Sequence, residues 1–408
     1  MIKHNPITSL AEGGPSRRQR LQLAVILGAI ATIGPLSIDM YLPALPALGI
    51  HFGTSPAMIQ LTLTFFLLGL ASGQLVAGPL SDVYGRRTPL LIGMVIYAVS
   101  SLLCAFSPSV GLLILLRFIQ GLAGSVGVVI SRAAVRDMYS GSELTRFFSL
   151  LMIVNGLGPI AAPVIGGQLL RVTTWQGVFV VLFVCGLLFA AVILLRLPET
   201  LPKERRIQSG LKGTLLTFRI LLGNARFMGY ALSQGFVTAG MFAYISGSSF
   251  VLQMIYGVSP QMYSLIFAVN GFGIILTGQI AGRTAARVGE RKLLICGLLL
   301  STSGGVLLLT LLAGGGLLPI LVCLFAVVAS VGLVSTTSFS LAMQDQGETA
   351  GSASALLGLL PLLLGSCAAP LVGLGGSGSA VPMALVIAGA GLLSILSYVL
   401  LCRREVRS

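Results

Sequence analysis

The chain has 408 residues, of which 55% are hydrophobic and only 9% are charged. Because a soluble domain carries about a quarter charged residues, this composition excludes an ordinary soluble protein and indicates an integral membrane protein. The net charge of +14 would suggest a nucleic-acid partner in a soluble chain. Here the basic residues lie between apolar runs, so we predict no binding of nucleic acid.

Twelve apolar runs follow one another along the chain, in two sets of six. About twenty residues of helix cross the roughly 30 Å of hydrocarbon in a bilayer, so each run is a candidate span. The predicted fold is an all-α membrane protein with twelve transmembrane helices in two six-helix bundles. The runs cover residues 21–43, 57–79, 89–106, 110–137, 146–170, 175–197, 227–256, 262–286, 292–313, 317–343, 349–374 and 380–402.

The basic residues predict how the chain is oriented. All Lys and Arg residues except Arg117 and Arg171 lie on one side of the predicted spans. The positive-inside rule places this side, with both termini, in the cytoplasm. We therefore expect a cytoplasmic tail at 1–20, an N-terminal bundle at 21–197, a cytoplasmic linker at 198–226, a C-terminal bundle at 227–402 and a short cytoplasmic tail at 403–408.

The first predicted span contains one acidic residue, Asp39, within the sequence SIDMYLPALP at 37–46. An ionised carboxylate inside a membrane is costly, and it is usually retained because it exchanges a proton, binds a cation or pairs with a buried base. The alternative is that Asp39 only caps the helix at the membrane interface. We interpret the chain as a transporter organised around this carboxylate.

The loop after the second span reads GPLSDVYGRRTPL at 78–90. Its glycines permit a tight turn, and its acidic residue can pair with a basic group or with a helix N-terminus. We predict a cytoplasmic gate here; the alternative is that the two arginines only anchor the topology. The predicted gate residues are Gly78, Asp82, Gly85, Arg86 and Arg87.

A degenerate copy of this loop, GRTAARVGERKLLI, begins at Gly282, 204 positions after Gly78. Glycines, a basic residue and the following apolar pair recur, but Ala286 stands where the first copy has Asp82. Recurrence after the second helix of each half favours an internal duplication over chance.

Arg117 lies about seven residues into the fourth span, roughly 10 Å below the outer face, and Asp39 lies about 6 Å below the same face. Similar depth allows the guanidinium to favour the ionised carboxylate, directly or through water. Gln120, one turn away, indicates a polar cavity. The alternative is that Arg117 extends its side chain to the interface.

The fifth span contains NGLGPIAAPVIGG at 155–167. Two prolines and four glycines leave carbonyl groups unpaired and soften a helix. We predict a hinge that also seals a passage. Its residues are Gly156, Gly158, Pro159, Pro163, Gly166 and Gly167.

These motifs resemble those of the major facilitator superfamily. The 78–90 loop is similar to its signature loop, and Arg117 with Gln120 and Gly121 resembles its fourth-helix motif, which is implicated in proton transfer. The 156–167 segment resembles the antiporter motif typical of exporters. With SIDMYLPALP at 37–46 and PETLPKERR at 198–206, the pattern resembles the Bcr/CflA branch of twelve-helix drug:proton antiporters.

The resemblance implies two bundles around a central cavity that opens alternately to each side, with inward proton movement driving outward drug movement. It implies that Asp39 is the proton carrier and Arg117 its partner. Protons would be the coupling ion, with no other cofactor and no metal. Substrates would be of the bicyclomycin, sulfonamide or chloramphenicol type. We expect a multi-pass monomer in the bacterial inner membrane that is not an enzyme, with a drug-like molecule and the lipid bilayer as its partners.

Polar and aromatic side chains at membrane depth suit amphiphilic ligands, although for each of them helix packing is an equally open interpretation. The candidate cavity residues are Met40, Tyr41, Phe65, Phe66, Gln120, Gln234, Tyr244, Gln253 and Asn270.

Other functions are less well supported by the sequence. A proton-coupled exporter of an endogenous metabolite or siderophore on the same fold is the strongest rival. A membrane-embedded enzyme is disfavoured because the sequence has no HExxH, GxSxG or P-loop motif. A channel would need neither a halved repeat nor a lone titratable aspartate.

Overall fold

The computed structural model describes residues 17–138, 158–206, 212–312, 316–344, 346, 350–376 and 378–402. The described segments form helices joined by short turns. In the first half the helices are α1 (Arg17–Ala31), α2 (Ile33–Asp39), α3 (Leu45–Phe52), α4 (Pro56–Tyr84), α5 (Arg87–Ala105), α6 (Val110–Met138), α7 (158–169) and α8 (Trp175–Arg196). The second half contains α9 (Lys212–Gly223), α10 (Ala225–Phe250), α11 (Pro260–Val288), α12 (Glu290–Leu311), α13 (Leu317–Met343), α14 (Ala350–Val372) and α15 (Val381–Ser397).

Within the described residues, 11 helices are long and apolar enough to cross a membrane. The predicted fifth span, 146–170, lies largely outside the described residues, which include only its helical part at 158–169. The prediction of an all-helical membrane protein is confirmed, and the prediction of twelve spans stays a prediction.

The first span differs most from its predicted bounds. Instead of ending near residue 43, the helical chain breaks after Asp39, passes through a 3₁₀ turn at Leu42–Ala44 and continues as α3 to Phe52. Pro43 and Pro46 cause the break, because neither supplies the N–H that a continuous α-helix needs.

The second helix of each half begins and ends in the same way. Ser55 and Ser259 accept hydrogen bonds from Met58 and Met262 and so cap α4 and α11, and each is followed by a proline. At the other end both helices stop at a glycine with positive φ, 88° at Gly85 and 92° at Gly289. All these pairs are 204 positions apart. The repeat inferred from the loop sequences therefore extends to the local structure of two whole helices.

Glycines allow the closest helix contact in the first half. A Cβ atom on Gly69 of α4 would overlap the carbonyl of Phe118, and one on Gly121 of α6 would overlap the carbonyl of Phe66. The two helices therefore pack backbone to backbone. In the second half α10 packs against α13, α14 and α15, and α14 also packs on α4 of the first half.

The polar segment predicted as a linker at 198–226 includes a helix, α9, which packs on α10 and α14. Phe218 and Leu221 of α9 are buried there. We name the two ends of the molecule from their turns. The basic end holds the turns at 85–86 and at Gly289, and the far end holds the turns at 53–55, 106–109 and 256–259.

Candidate functional site

The chain break after α2 exposes a backbone carbonyl to the core. In an α-helix the Ser37 carbonyl would accept from the N–H of Tyr41, but that N–H donates to Ile38 at 3.3 Å. The Ser37 carbonyl instead accepts from Nη2 of Arg117 at 3.1 Å. The prolines that interrupt the first span thus create the acceptor that holds the arginine of α6.

Arg117 is fully buried. Its guanidinium donates to Oε1 of Gln120 and lies over the rings of Tyr41 and Phe66, 4.7 and 4.2 Å from their centroids. A buried cation needs such compensation, and aromatic faces supply it in addition to hydrogen bonds. Arg117 is therefore fixed in place by neutral groups of the first half.

The polar network continues beyond Gln120. Nε2 of Gln120 donates to Oγ of Ser101 at 2.7 Å, and Ser101 donates to the carbonyl of Tyr97 at 2.7 Å. The Tyr97 hydroxyl is 2.5 Å from Oγ of Ser37, so the hydrogen-bond network returns to α2. The motif that the sequence singled out around Arg117 and Gln120 is thus part of a buried network that includes Ser37, Tyr97 and Ser101.

Asp39 lies two residues beyond Ser37, about 200° around the helix. It is only 5% exposed, and in the described part of the chain no ion pair joins it to Arg117. Three residues further on, the Leu42 carbonyl accepts a hydrogen bond from Oγ of Ser249 in α10 at 2.7 Å. Asp39 is therefore buried in the segment that bonds to the second half, while Arg117 contacts the first half.

An uncharged cluster lies on α10 and α11 of the second half. Nδ2 of Asn270 donates to the Tyr244 hydroxyl at 2.7 Å, and the Tyr244 ring stacks on Phe267 at 5.6 Å. The Tyr263 hydroxyl is 3.3 Å from Oγ of Ser248. Sequence reasoning identified Tyr244 and Asn270 but missed Tyr263 and Phe267. Their spacing of four, followed by Asn270 three residues later, is the signal that places all three on one face of α11.

Some of the other cavity candidates pack within one half, and others lie at the seam, where the two halves meet. Tyr41, Phe66 and Gln120 surround Arg117, and the buried Met40 packs against α7. Phe65 is exposed on α4, and Gln234 of α10 is half-buried. Gln253 donates to the Pro43 carbonyl across the seam at 3.3 Å. The structure thus brings these residues to several places, and the seam group is Asp39, Tyr244, Gln253 and Asn270.

The predicted gate loop forms a charged cluster at the basic end. Arg86 donates to Asp82, to Oγ of Ser81 at 2.6 Å and to Oδ2 of Asp137 at 2.8 Å. Burial of Arg86 acts to lower its pKa, but the hydrogen bonds and charges of Asp137 and Asp82 together raise it. Asp137, at the end of α6, was not identified from the sequence.

Glu199, from the PETLPKERR segment, binds the same loop. It accepts from the backbone N–H groups of Arg86 at 2.8 Å and Arg87 at 3.2 Å, at the N-terminus of α5. A carboxylate there satisfies unpaired N–H groups and complements the helix dipole. A side chain at Gly85 would overlap Glu199. The remaining predicted gate residue, Gly78, lies near Val129 of α6.

The predicted hinge is described in part, since Gly156 lies outside the described residues. Helix α7 passes through Pro163 without interruption and runs between the two halves. A Cβ atom on Gly166 would overlap the Met40 carbonyl, and one on Gly167 would overlap Oγ of Ser264 in α11. Gly158 lies against Thr32, and the Pro159 carbonyl lies near Gly271. The small residues of α7 therefore allow it to contact both halves.

Three comparisons place the chain among known proteins. The model of the Major Facilitator Superfamily matches residues 27–370. An uncharacterised MFS-type transporter of Bacillus subtilis, YdgK, is 45% identical over 96% of this chain and 98% of that protein. A bicyclomycin resistance protein homolog of Haemophilus influenzae is 31% identical over 94% of this chain and 96% of that protein.

Among solved structures, a mutant of the nucleoside transporter NupG matches with a TM-score of 0.77 and 13% identity, over 93% of this chain and 98% of that one. At this identity the match concerns the fold alone. With its apolar helices and these relatives, the protein is a multi-pass protein of the bacterial inner membrane. The chain belongs to the Major Facilitator Superfamily and, as its motifs suggested, to the Bcr/CflA type within it.

Proposed function

We propose that this protein exports small amphiphilic drugs in exchange for protons, by alternating access between its two halves. The observation that carries the proposal is the placement of Asp39. It is a buried carboxylate in the segment that bonds to the second half, and Arg117 is held by other groups. The similarity to a bicyclomycin resistance protein homolog supports a drug as the cargo.

The chemistry of the exchange follows from the cost of a buried charge. An ionised Asp39 at the seam needs a partner, which a proton or a donor group of a bound drug supplies. Because one carboxylate cannot satisfy both at once, proton binding and drug binding oppose each other. The coupling is the difference in affinity of the two conformations for the two ligands.

Arg117 has a different part in this scheme. By binding the Ser37 carbonyl and the face of Tyr41, it holds the segment on both sides of Asp39. We therefore assign Arg117 to the positioning of this segment.

We orient the basic end towards the cytoplasm, following the positive-inside rule. Protons would then enter from the far end and cargo would leave there. The Arg86 cluster, with Asp82, Asp137 and Glu199, would stabilise one arrangement of the basic end. Its role as a gate is part of this proposal.

The test is substrate-induced proton release from the purified protein in detergent, over a panel that contains bicyclomycin, a sulfonamide and chloramphenicol. We expect at least one compound to release protons at a pH where Asp39 binds them, and the Asp39→Asn variant to release none. Flux in proteoliposomes should saturate and should follow an imposed pH gradient.

A panel of endogenous metabolites and siderophores separates the rival cargo class. Proton release by a metabolite, with none by any drug, would keep the transport mechanism and remove the drug assignment. Gradient-independent flux of a drug would remove the proton coupling. Drug-susceptibility changes on deletion and overexpression provide the cellular counterpart.

A further inference from the structure

The carbonyls just after Asp39 are joined to the opposite half. The Leu42 carbonyl accepts from the N–H of Leu45 in the 3₁₀ turn, but Pro46, four residues on, has no N–H to supply the α-helical bond. Oγ of Ser249 donates to the same carbonyl at 2.7 Å. Leu42 and Ser249 are both fully buried. The bond therefore crosses the seam away from solvent.

A second bond crosses the seam beside the first. The end of α10 continues as a π-helix over Val251–Ile255, a widened turn that is frequent at functional sites. Gln253 lies in this turn, and its Nε2 atom donates to the Pro43 carbonyl at 3.3 Å and to Oγ of Ser249 at 2.9 Å. Ser249 and Gln253 thus form one linked pair on two adjacent carbonyls. We call these four residues the clasp.

The clasp lies near the far end of the molecule. Tyr41, next to Leu42, bonds to Thr62, which is six residues into α4 and so about 9 Å from its far end. Among the described residues, two other side chains bridge the halves at this end, Gln60 to the Ser246 carbonyl at 3.1 Å and Gln261 to the Gly167 carbonyl at 3.0 Å. The clasp differs from these because it holds the segment that carries Asp39.

We propose that Ser249 and Gln253 are positioning residues that hold the far end closed through the Leu42 and Pro43 carbonyls. Opening of the far end separates α10 from the first half and breaks both bonds, and water then satisfies the released groups. A hydrogen bond that is exchanged for water has a modest net value, which suits a gate that must open repeatedly. The significance of the clasp for transport rests on the proposed function, whereas its effect on conformation does not.

Spin-label distances across the far end test the clasp directly. Labels are placed at Phe106→Cys in the first half and Leu318→Cys in the second, two exposed positions at that end, after the native cysteines are replaced. The protein is measured in lipid nanodiscs at one pH, without substrate. In the Ser249→Ala/Gln253→Ala double variant we expect the ratio of open to closed far ends to rise about tenfold. An unchanged distance distribution overturns the proposal.

Pro46→Ala tests the hydrogen bond between Ser249 and the Leu42 carbonyl by a change in the first half. It restores an N–H that competes with Ser249 for the Leu42 carbonyl and leaves α10 untouched. We expect a shift in the same direction as in the double variant, but smaller. A shift towards the closed state would contradict the proposal, and this variant decides the question if the double variant does not fold. Size-exclusion chromatography and thermal unfolding report folding.

Ser303→Ala is the matched control, because Ser303 is exposed on α12 and bonds only within its own helix, to Leu300 at 3.3 Å. It should leave the distances unchanged. The outcome is separable from that of the proposed function, because the distances are measured without substrate or gradient. Absence of drug-induced proton release would remove the proposed function alone, while unchanged distances would remove the clasp alone.

Discussion

The two halves share a backbone plan but divide the chemistry between them. At the end of α4 and the end of α11, 204 positions apart, a glycine with positive φ turns the chain at the same place. Next to the first turn, Arg86 binds Asp82 and Asp137. Next to the second, Ala286 replaces Asp82 and Glu290 replaces Arg86. Glu290 accepts from Ser340 at 2.7 Å and Gln344 at 3.0 Å.

The same division holds at the seam. By the offset of 204, Ala243 corresponds to Asp39, and α13, the fourth long helix of the second half, contains no charged residue. The first half thus supplies the buried carboxylate and the buried cation, and the second half supplies hydroxyl and amide groups such as those of Tyr244 and Asn270. The caps and turns that recur in both halves each depend on few residues, whereas the buried charged side chains in the described part of the chain, Asp39, Arg86 and Arg117, all lie in the first half.

The largest effect should come from removing the acid of the first half. Asp39→Asn keeps the shape of the side chain but removes its ability to exchange a proton. We expect pH-driven efflux to be abolished, with membrane abundance and thermal stability close to those of the parent. Efflux from inverted vesicles under an imposed gradient measures this. Asp39→Glu is the matched control and should retain part of the activity; undiminished efflux by Asp39→Asn would remove this residue from the mechanism.

Arg117→Leu removes the buried charge of α6 and so makes this helix resemble α13, which has no charged residue. It leaves Oε1 of Gln120 and the Ser37 carbonyl without their donor and removes the stacking on Tyr41 and Phe66. We expect a loss of about 2–4 kcal/mol in the free energy of unfolding and loss of coupled transport, with insertion retained.

Arg117→Lys is the companion variant, since it keeps the charge but not the planar fork. It should recover part of the stability, as measured by thermal unfolding in detergent, and less of the transport. Equal transport per inserted molecule in parent and Arg117→Leu would contradict a role in coupling.

A third comparison concerns the two arginines at the basic end. Arg86 is buried between two carboxylates, so we expect Arg86→Ala to cost about 3 kcal/mol. Arg291 makes a more exposed bond to the Tyr398 hydroxyl at 2.7 Å, so Arg291→Ala should cost about 1 kcal/mol or less. Chemical denaturation of both variants in the same detergent measures the difference. Equal losses would show that the charged cluster of the first half is not the stronger one.

Much of the fold could be predicted, because apolar runs of about 20 residues and basic loops are direct consequences of the bilayer. The repeat was visible as well, since glycines at turns leave a trace in the sequence. The break after Asp39 was predictable in kind from Pro43 and Pro46, but the continuation to Phe52 was not. Apart from His51, the residues of this continuation are apolar or small, so their hydropathy does not distinguish a span from a helix that extends beyond it.

The candidate site was less predictable, because its contacts join distant parts of the chain. Asp39 and Arg117 stand out as charges in apolar runs, and their depths are computable from the helix rise. Which groups Asp39 and Arg117 contact depends on the break after Asp39, because the break changes the directions of the carbonyls and side chains around it. Asp137 and Glu199 were missed as partners of the 78–90 loop because charged residues at the ends of spans are common.

The smallest expected effect is the difference in stability between two glycine substitutions, one that adds only backbone strain and one that also adds a steric overlap. Gly289 has a φ of 92° with no other atom within 4 Å of an added Cβ, so Gly289→Ala should cost only the strain, about 1–3 kcal/mol. Gly85 has nearly the same φ, but a Cβ there would also overlap Glu199 and displace it from the N-terminus of α5. Gly85→Ala should therefore cost about 1–2 kcal/mol more than Gly289→Ala, since a capping interaction of that size is lost.

In a Glu199→Gln background this excess should shrink, because the displaced group no longer carries a charge. An equal cost of the two glycine substitutions in the parent would mean that the linker carboxylate moves aside freely, and the attachment of the linker to the 78–90 loop would then contribute nothing to stability.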